Sequence, residues 1–265
     1  MNPIESALVR VLTLECVLNH VLCVGAIGRR KKIMSSSVSD SVVVIDYGSG
    51  NIRSAAKAFE YVIAENGYRL SVTVSSDPCD VEKARFVVLP GQGAFQDCMR
   101  GLIGLDGMVA ALEDSVLQRE VPFLGICVGM QLLATTGHEH GSFPGLGWIP
   151  GEVRGLEPAN DSIKIPHMGW NSVRFSDSEA ISNRNLGNLV QGITESCEQS
   201  DSDFYFVHSF VFHCKDKQHI LAETDYGHTI TAMVGHNNIM GVQFHPEKSH
   251  KIGLQLIKHF LCWPL

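Results

Sequence analysis

The sequence has no excess of positive charge: 21 Lys and Arg stand against 28 Asp and Glu, a formal net charge of -7 in 265 residues. Without a broad cationic face nothing neutralises a phosphate backbone, so nucleic acid is not an expected partner. Eight cysteines are present, but no two form a CxxC pair: Cys16, Cys23, Cys79, Cys98, Cys127, Cys197, Cys214 and Cys262 are scattered along the chain. That spacing builds neither a disulfide framework nor a structural zinc site, and it fits a reducing, cytoplasmic compartment. Internal repeats and low-complexity blocks are also missing. At 45% hydrophobic residues, disorder over most of the chain is excluded.

Nor does the chain contain a clean apolar run of membrane-spanning length. Ala7 to Ile27 comes nearest, but Arg10, Glu15, Asn19 and His20 interrupt it, and its basic cluster Arg29-Arg30-Lys31-Lys32 follows it. A secretory signal places its positive charge first, and a spanning helix does not readily carry Arg and Glu in its middle. The favoured reading is a dispensable extension, or an upstream start with Met34 as the natural initiator; an interfacial helix or an anchor remain as alternatives. Residues 1–40 are thus set apart from a single domain over residues 41–265, with SSSVSDS as the linker.

From Val42 onward, short β-branched runs alternate with longer amphipathic stretches. Strands are expected at Val42 to Asp46, Arg69 to Val74, Arg85 to Pro90 and Pro122 to Cys127, with helices at about Ile52 to Glu65 and Gly107 to Arg119. This alternation predicts an α/β fold with a mostly parallel sheet covered by helices on both faces. The second half is richer in strands: around Gly151 to Arg154, Ser172 to Phe175, Phe204 to Phe210, Ile220 to Thr224, Thr229 to Val234 and Ile239 to Phe244. A last helix spans about Ile252 to Phe260. SDSEAISNRN and ESCEQSDSD read as surface loops.

Three motifs carry chemistry. Gly125-Ile126-Cys127-Val128-Gly129 lies between an apolar run and the helical MQLLA, the pattern of a nucleophile elbow in which glycines relieve crowding around an outward-pointing side chain. A thiol there sits at a helix N-terminus, which favours the thiolate. Taken alone, the motif equally describes a buried structural cysteine beside two incidental glycines. Gln243-Phe244-His245-Pro246-Glu247 ends an apolar strand and offers an imidazole base with a carboxylate for its second ring N–H. The acid follows the histidine by two positions, unlike the Asp-before-His order of α/β-hydrolases. Pro90-Gly91-Gln92-Gly93-Ala94-Phe95 ends the third strand, where doubly wound sheets bind ligands, and its glycines let backbone N–H groups turn toward an oxyanion. His138-Glu139-His140 lacks the helical spacing of HExxH and reads as a solvated loop, so no metal and no organic cofactor is expected.

Together the three motifs resemble the triad-type, class I glutamine amidotransferases. DYGSGN, LPGxGAF, GICVGMQLL, GLGWIPG, KIPHMGWN, YFVHSF and GVQFHPEKS narrow the resemblance to one branch, the glutaminase subunits of imidazole glycerol phosphate synthases of histidine biosynthesis. The resemblance runs from about Val42 to the C-terminus and implies a class I amidotransferase fold. It implies Cys127 as nucleophile, His245 as general base and acid, and Glu247 as the residue orienting His245. The Val128 N–H and the turnable backbone of Gly91, Gln92 and Gly93 are implied as the oxyanion hole. Gln131 and the backbone of His208, Ser209 and Phe210 are implied to hold L-glutamine. Asn51, Pro166, His167, Met168, Gly169, Trp170, Asn171 and Lys248 are implied to face a partner, a (β/α)8-barrel cyclase subunit, in a heterodimer. Gln92 departs from the family, which usually has an apolar residue there, most often Val. Subunits of other amidotransferases would keep the triad but lack PHMGWN, and a regulatory relative without activity would have lost part of the triad.

Overall fold

The computed structural model describes residues 39–158, 163–178, 181, 183–197 and 202–263. The expected N-terminal extension with its Met34 start lies outside the described residues, apart from Ser39 and Asp40. The first half alternates as expected: β1 (Ser41–Ile45), α1 (Ile52–Asn66), β2 (Ser71–Ser75), α2 (Pro78–Lys83), β3 (Phe86–Gly91), α3 (Phe95–Gly104), α4 (Met108–Leu112), β4 (Phe123–Cys127) and α5 (Val128–Gln131). β1, β3 and β4 are buried at every position, which is why they read as continuous apolar runs and not as alternating ones. α1 turns Phe59, Val62 and Ile63 inward and ends at Gly67, whose left-handed φ of 66° stops the helix. The helix expected over Gly107 to Arg119 begins as α4 and loosens into a π-helical turn at Glu113–Gln118.

The second half comprises β5 (Thr136–Gly137), β6 (Phe143–Pro144), β7 (Gly151–Gly155), β8 (His167–Phe175), α6 (Arg184–Ser196), β9 (Asp203–His208), β10 (Phe210–Cys214), β11 (Ile220–Asp225), β12 (Thr229–His236), β13 (Ile239–Val242) and α7 (His250–Leu261). The main sheet runs β2-β1-β3-β4-β13-β12-β11-β8-β9, and a smaller one runs β10-β7-β5-β6. The expected parallel register holds from β2 through β13. From β13 to β9 every pairing is antiparallel; β11, β12 and β13 follow one another through short turns, whereas β8 and β9 are connected through α6.

Two expectations are corrected. The strand expected over Phe204 to Phe210 breaks at Ser209: β9 joins the main sheet, whereas β10 pairs with β7 in the other one. The Ser209 carbonyl accepts the Leu156 N–H at 2.8 Å, so the break is held by a hydrogen bond from a distant segment and not by a local turn residue. Between the two stretches read as loops lies α6, which covers Arg184 and Asn185 of the first and Glu195 and Ser196 of the second. Asn183 caps it by accepting the Leu186 N–H at 3.0 Å, and Leu186, Leu189, Val190 and Ile193 form its buried stripe. Its asparagines, glycines and threonine are weak helix formers, and packing overrides them.

The packing of α5 on β3 and β4 leaves no room for side chains at two glycines. A Cβ on Gly129 would lie 1.8 Å from the Leu89 carbonyl oxygen, and one on Gly125 would lie 2.5 Å from the Gly129 oxygen. Gly104, at the end of α3, meets nothing within 4 Å. Gly129→Ala is therefore expected to destabilise the protein by more than about 3 kcal/mol in urea unfolding, while Gly104→Ala stays within about 1 kcal/mol of the parent. Equal unfolding midpoints for the two variants would contradict this packing.

Candidate functional site

β4 lies between two parallel neighbours, and this order assembles the site. Gly91 at the end of β3 is in register with Cys127, and Val242 at the end of β13 is in register with Ile126. The Gly-rich loop and the Gln243-to-Glu247 segment therefore emerge on either side of the cysteine. Cys127 itself has φ 55° and ψ -112°, a left-handed conformation unusual for a residue with a side chain. Such strain is held only where the surroundings over-determine it. It is the geometry expected of the elbow.

His245 is almost fully buried, and its Nδ1 lies 2.9 Å from Glu247 Oε1; the two side chains are 4% and 2% exposed. Pro246–Lys248 form a single 3-10 turn, which brings residues two apart in the chain face to face. The His245 carbonyl accepts from Ser249 Oγ at 2.6 Å, and its N–H donates to the Tyr205 carbonyl at 2.9 Å, so the backbone beneath the imidazole is pinned on both sides. Burial alone would push its pKa down, but the proximity of Cys127 and of the Glu247 carboxylate outweighs this and raises it to about 9. Among the described residues Nε2 has no hydrogen-bond partner of ordinary geometry, and Cys127 is the group beside it.

Besides His245, the sulfur of Cys127 has two hydrogen-bonding neighbours among the described residues. It faces the Val207 carbonyl at 3.9 Å, and the buried Gln243 side chain donates to it at 3.7 Å. On the loop side, the Tyr47 hydroxyl donates to the Pro90 carbonyl at 2.7 Å, and the Gln92 carbonyl accepts from Ser49 Oγ and from the Cys98 thiol. The Gln92 side chain is exposed.

A further set of hydrogen bonds runs from β8 to this site. Asn171 Nδ2 donates to the Asp225 carbonyl at 2.8 Å and lies 3.2 Å from His167 Nε2. His167 Nδ1 lies 2.9 Å from His208 Nε2, and His208 Nδ1 lies 3.0 Å from the Phe210 carbonyl. A carbonyl only accepts, so His208 carries its proton on Nδ1, accepts at Nε2, and obliges His167 to donate from Nδ1. Both rings are neutral: burial holds His208 down at about 3 and His167 at about 4. The same Phe210 carbonyl accepts from Gln131 Nε2 at 3.1 Å.

These groups surround a cavity of about 290 Å³. Its wall contains Gln92, Gly93, Cys127, Val128, Gln131, His208, Ser209, Phe210, His245 and Lys248, all singled out in the sequence; Gly91 is buried beside it. The wall also contains Pro166, expected at a partner face, and Glu139 and Val207, which the sequence reading passed over. The loop reading of His138-Glu139-His140 holds for the backbone, but Glu139 is not simply solvated: its Oε2 accepts the Phe95 N–H at 2.7 Å. Of the expected partner-facing residues, Met168 and Trp170 are 60% and 47% exposed, with Trp170 stacked on His250 at 4.8 Å. Asn51, Gly169 and Lys248 are half-buried. His167 is corrected: it is 2% exposed and sandwiched between Phe206 and Tyr226, with its polar atoms turned inward. Asn171 likewise spends its side-chain amide on the interior chain described above. Of the backbone of Ser209 and Phe210, expected to hold a ligand, the carbonyl oxygens accept from the protein's own donors. A larger hollow of about 520 Å³ lies beside Thr135, Glu152, Arg154 and Lys215, and no cysteine lines it among the described residues.

A family model described as Glutamine amidotransferase class-I matches residues 43–262. The imidazole glycerol phosphate synthase subunit HisH of Rhodospirillum rubrum is 51% identical over 223 residues, covering 84% of this chain and 98% of that one. The subunit of the same name from Zymomonas mobilis is 46% identical over 231 residues, 87% of this chain and 99% of that one. Among solved structures, a glutamine amidotransferase superposes with a TM-score of 0.57 at 16% identity, covering 83% of this chain and 97% of that chain, a likeness of fold.

The site's protonation states are open to measurement. In a titration followed by imidazole C–H resonances, His245 is expected to keep its proton until about pH 9, while His167 and His208 stay neutral down to about pH 4 and pH 3. Removing the carboxylate charge in Glu247→Gln should lower the His245 midpoint. A His245 that titrates at the ordinary histidine value, unmoved by that substitution, would contradict the arrangement.

Proposed function

The chain belongs to the class I glutamine amidotransferase family, and from that premise we propose that it hydrolyses L-glutamine through a Cys127 thioester and passes the ammonia to a cyclase subunit of imidazole glycerol phosphate synthase. The observation that carries this reading is the meeting of a strained, positive-φ Cys127 with the Glu247-paired His245 in one cavity. The Cys127 thiolate attacks the side-chain amide carbon, a C–S bond forms, and the carbonyl oxygen becomes an oxyanion held by the backbone donors of Val128 and the Gly91-Gln92-Gly93 loop. Collapse breaks the C–N bond as His245 delivers its proton to the nitrogen, so ammonia leaves neutral. Its raised pKa of about 9 keeps that proton in place near neutral pH. Water, deprotonated by His245, then cleaves the thioester and releases glutamate. Glu139, the one carboxylate on the described cavity wall, suits the α-ammonium of the substrate.

Ammonia released into water becomes ammonium, which is not nucleophilic, so the product needs a sheltered path to its acceptor. The names of relatives 51% and 46% identical support the histidine pathway as the place of use, since each is a subunit of imidazole glycerol phosphate synthase. The partner on this reading is a (β/α)8-barrel cyclase that converts a phosphoribulosyl-formimino aminoimidazole carboxamide ribonucleotide into imidazole glycerol phosphate and an aminoimidazole carboxamide ribonucleotide. Exposed Ile165, Met168 and Trp170 cluster next to Pro166 at the cavity wall, an apolar patch suited to a docked subunit. Residues 41–265 are the working unit and the preceding stretch is dispensable. Among the described residues no helix is long and apolar enough to cross a membrane.

Glutamate release is the test. A chain beginning at Met34 is expected to match the full chain and to be stimulated by the cyclase subunit with its ribonucleotide, while Cys127→Ala loses at least about 10³-fold. Equal rates with and without the partner would overturn the assignment to this synthase. Trp170→Ala is expected to weaken the cyclase complex by about 2 kcal/mol in a binding titration; unchanged affinity would remove Trp170 from the interface.

A further inference from the structure

Gln243 lies two residues before His245, and the reaction outlined above gives it no task. It is 0% exposed, its backbone N–H is bonded to the Ala232 carbonyl at 2.9 Å, and its side chain reaches between Gln131 and the nucleophile. A buried carboxamide needs partners for both its ends, and which end faces the sulfur decides what it does. The surroundings settle that orientation. The Phe210 carbonyl can only accept, so the terminal atom of Gln131 at 3.1 Å from it is the nitrogen. The second N–H of that nitrogen points at Gln243, 3.0 Å away, and the atom receiving it is therefore Oε1. The remaining end of Gln243, 3.7 Å from Cys127 Sγ, is the NH2 group. A turned amide would set two donors against each other at Gln131 and leave the sulfur facing an oxygen.

We propose that Gln243 is a catalytic residue of this site: its side-chain N–H donates to the Cys127 sulfur and stabilises the thiolate, with its orientation imposed by the Phe210 carbonyl through Gln131. The proposal rests on the glutaminase reading for its purpose but not for its chemistry. A donor aimed at the sulfur favours the anion over the thiol, because hydrogen bonds to a charged acceptor are the stronger ones. The side chain lies behind the nucleophile and outside the described cavity wall, so it acts on the sulfur without occupying substrate space.

The experiment measures the sulfur directly, with no glutamine present. The full chain and its Gln243→Met variant, which keeps the volume but has no donor, are treated with iodoacetamide near neutral pH, and modification of the Cys127 peptide is followed by mass. The expected result is a drop of about tenfold in the Cys127 alkylation rate. An unchanged rate in a variant that melts like the parent would overturn the proposal. A second measurement does not depend on the variant folding: in glutamine-labelled protein, the Gln243 side-chain NH2 resonances are expected to shift in Cys127→Ala, and resonances that stay in place would overturn it. Absence of glutamate release by the unaltered protein and its cyclase partner, with both of these results as expected, would instead count against the glutaminase reading.

Discussion

The contact between Gly129 and the Leu89 carbonyl is the constraint on which the rest of the site depends. Because neither Gly125 nor Gly129 carries a Cβ, the first turn of α5 settles directly onto β3 and β4, closer than any side chain would allow. The chain then has to leave β4 and enter α5 within one residue, and that residue takes the positive φ. A non-glycine residue in this region costs on the order of 1–3 kcal/mol, small beside the burial of β3, β4 and β13 around it. The strain buys orientation: the Cys127 side chain is pushed out of the sheet, at the carboxyl ends of its strands. Parallel order supplies the remainder, since only strands running the same way as β4 discharge their loops at the same end.

A second constraint works through hydrogen bonds. The Phe210 carbonyl has two lone pairs, and both are used, one by Gln131 and one by His208. Each bond removes an ambiguity further along: the Gln131 amide, then Gln243, on one side; the tautomers of His208 and His167, then Asn171, on the other. The polar interior between β8 and the nucleophile is thereby a single arrangement with its donors and acceptors matched. In a low-dielectric setting such a chain is strong when complete and costly when one member is missing. Phe210 opens β10 in register with Gly155 of β7, and its carbonyl is the point from which both branches are fixed.

The elements that carry the nucleophile were legible in the sequence for a physical reason. β1, β3 and β4 are buried on both faces and show as apolar runs, and the elbow glycines are demanded by a backbone contact that no other residue permits. The Glu247 carboxylate was legible because it is local, two residues from His245. What could not be read were features decided at long range. Phe204 to Phe210 carries one uninterrupted pattern, and its division between two sheets depends on Leu156, far away in sequence. α6 is built from weak helix formers and exists by packing Leu186, Leu189, Val190 and Ile193. PHMGWN was read as one surface, yet strand alternation sends His167 inward while Met168 and Trp170 face out, with Gly169 between the latter two. Glu139 sits in a loop without periodicity, and only the Phe95 N–H it accepts turns it toward the cavity; a carboxylate closely following the elbow helix was the single available signal.

Three histidines illustrate how one burial can yield opposite charges. His167, His208 and His245 are all nearly inaccessible, and burial by itself disfavours the imidazolium in each. His167 and His208 are bonded to each other, to a carboxamide and to a carbonyl, none of which compensates a full positive charge, so they remain neutral and serve as rigid spacers with fixed donors. His245 has a carboxylate at 2.9 Å and a thiol nearby, and the balance reverses. Neutral His208 next to a charged His245 is also self-consistent, since each imidazolium would repel the other and only one has a counterion. The mobile proton is therefore confined to the one imidazole that borders the sulfur. The partners chosen for each ring, and not the residue type or its depth, separate the framework from the acid.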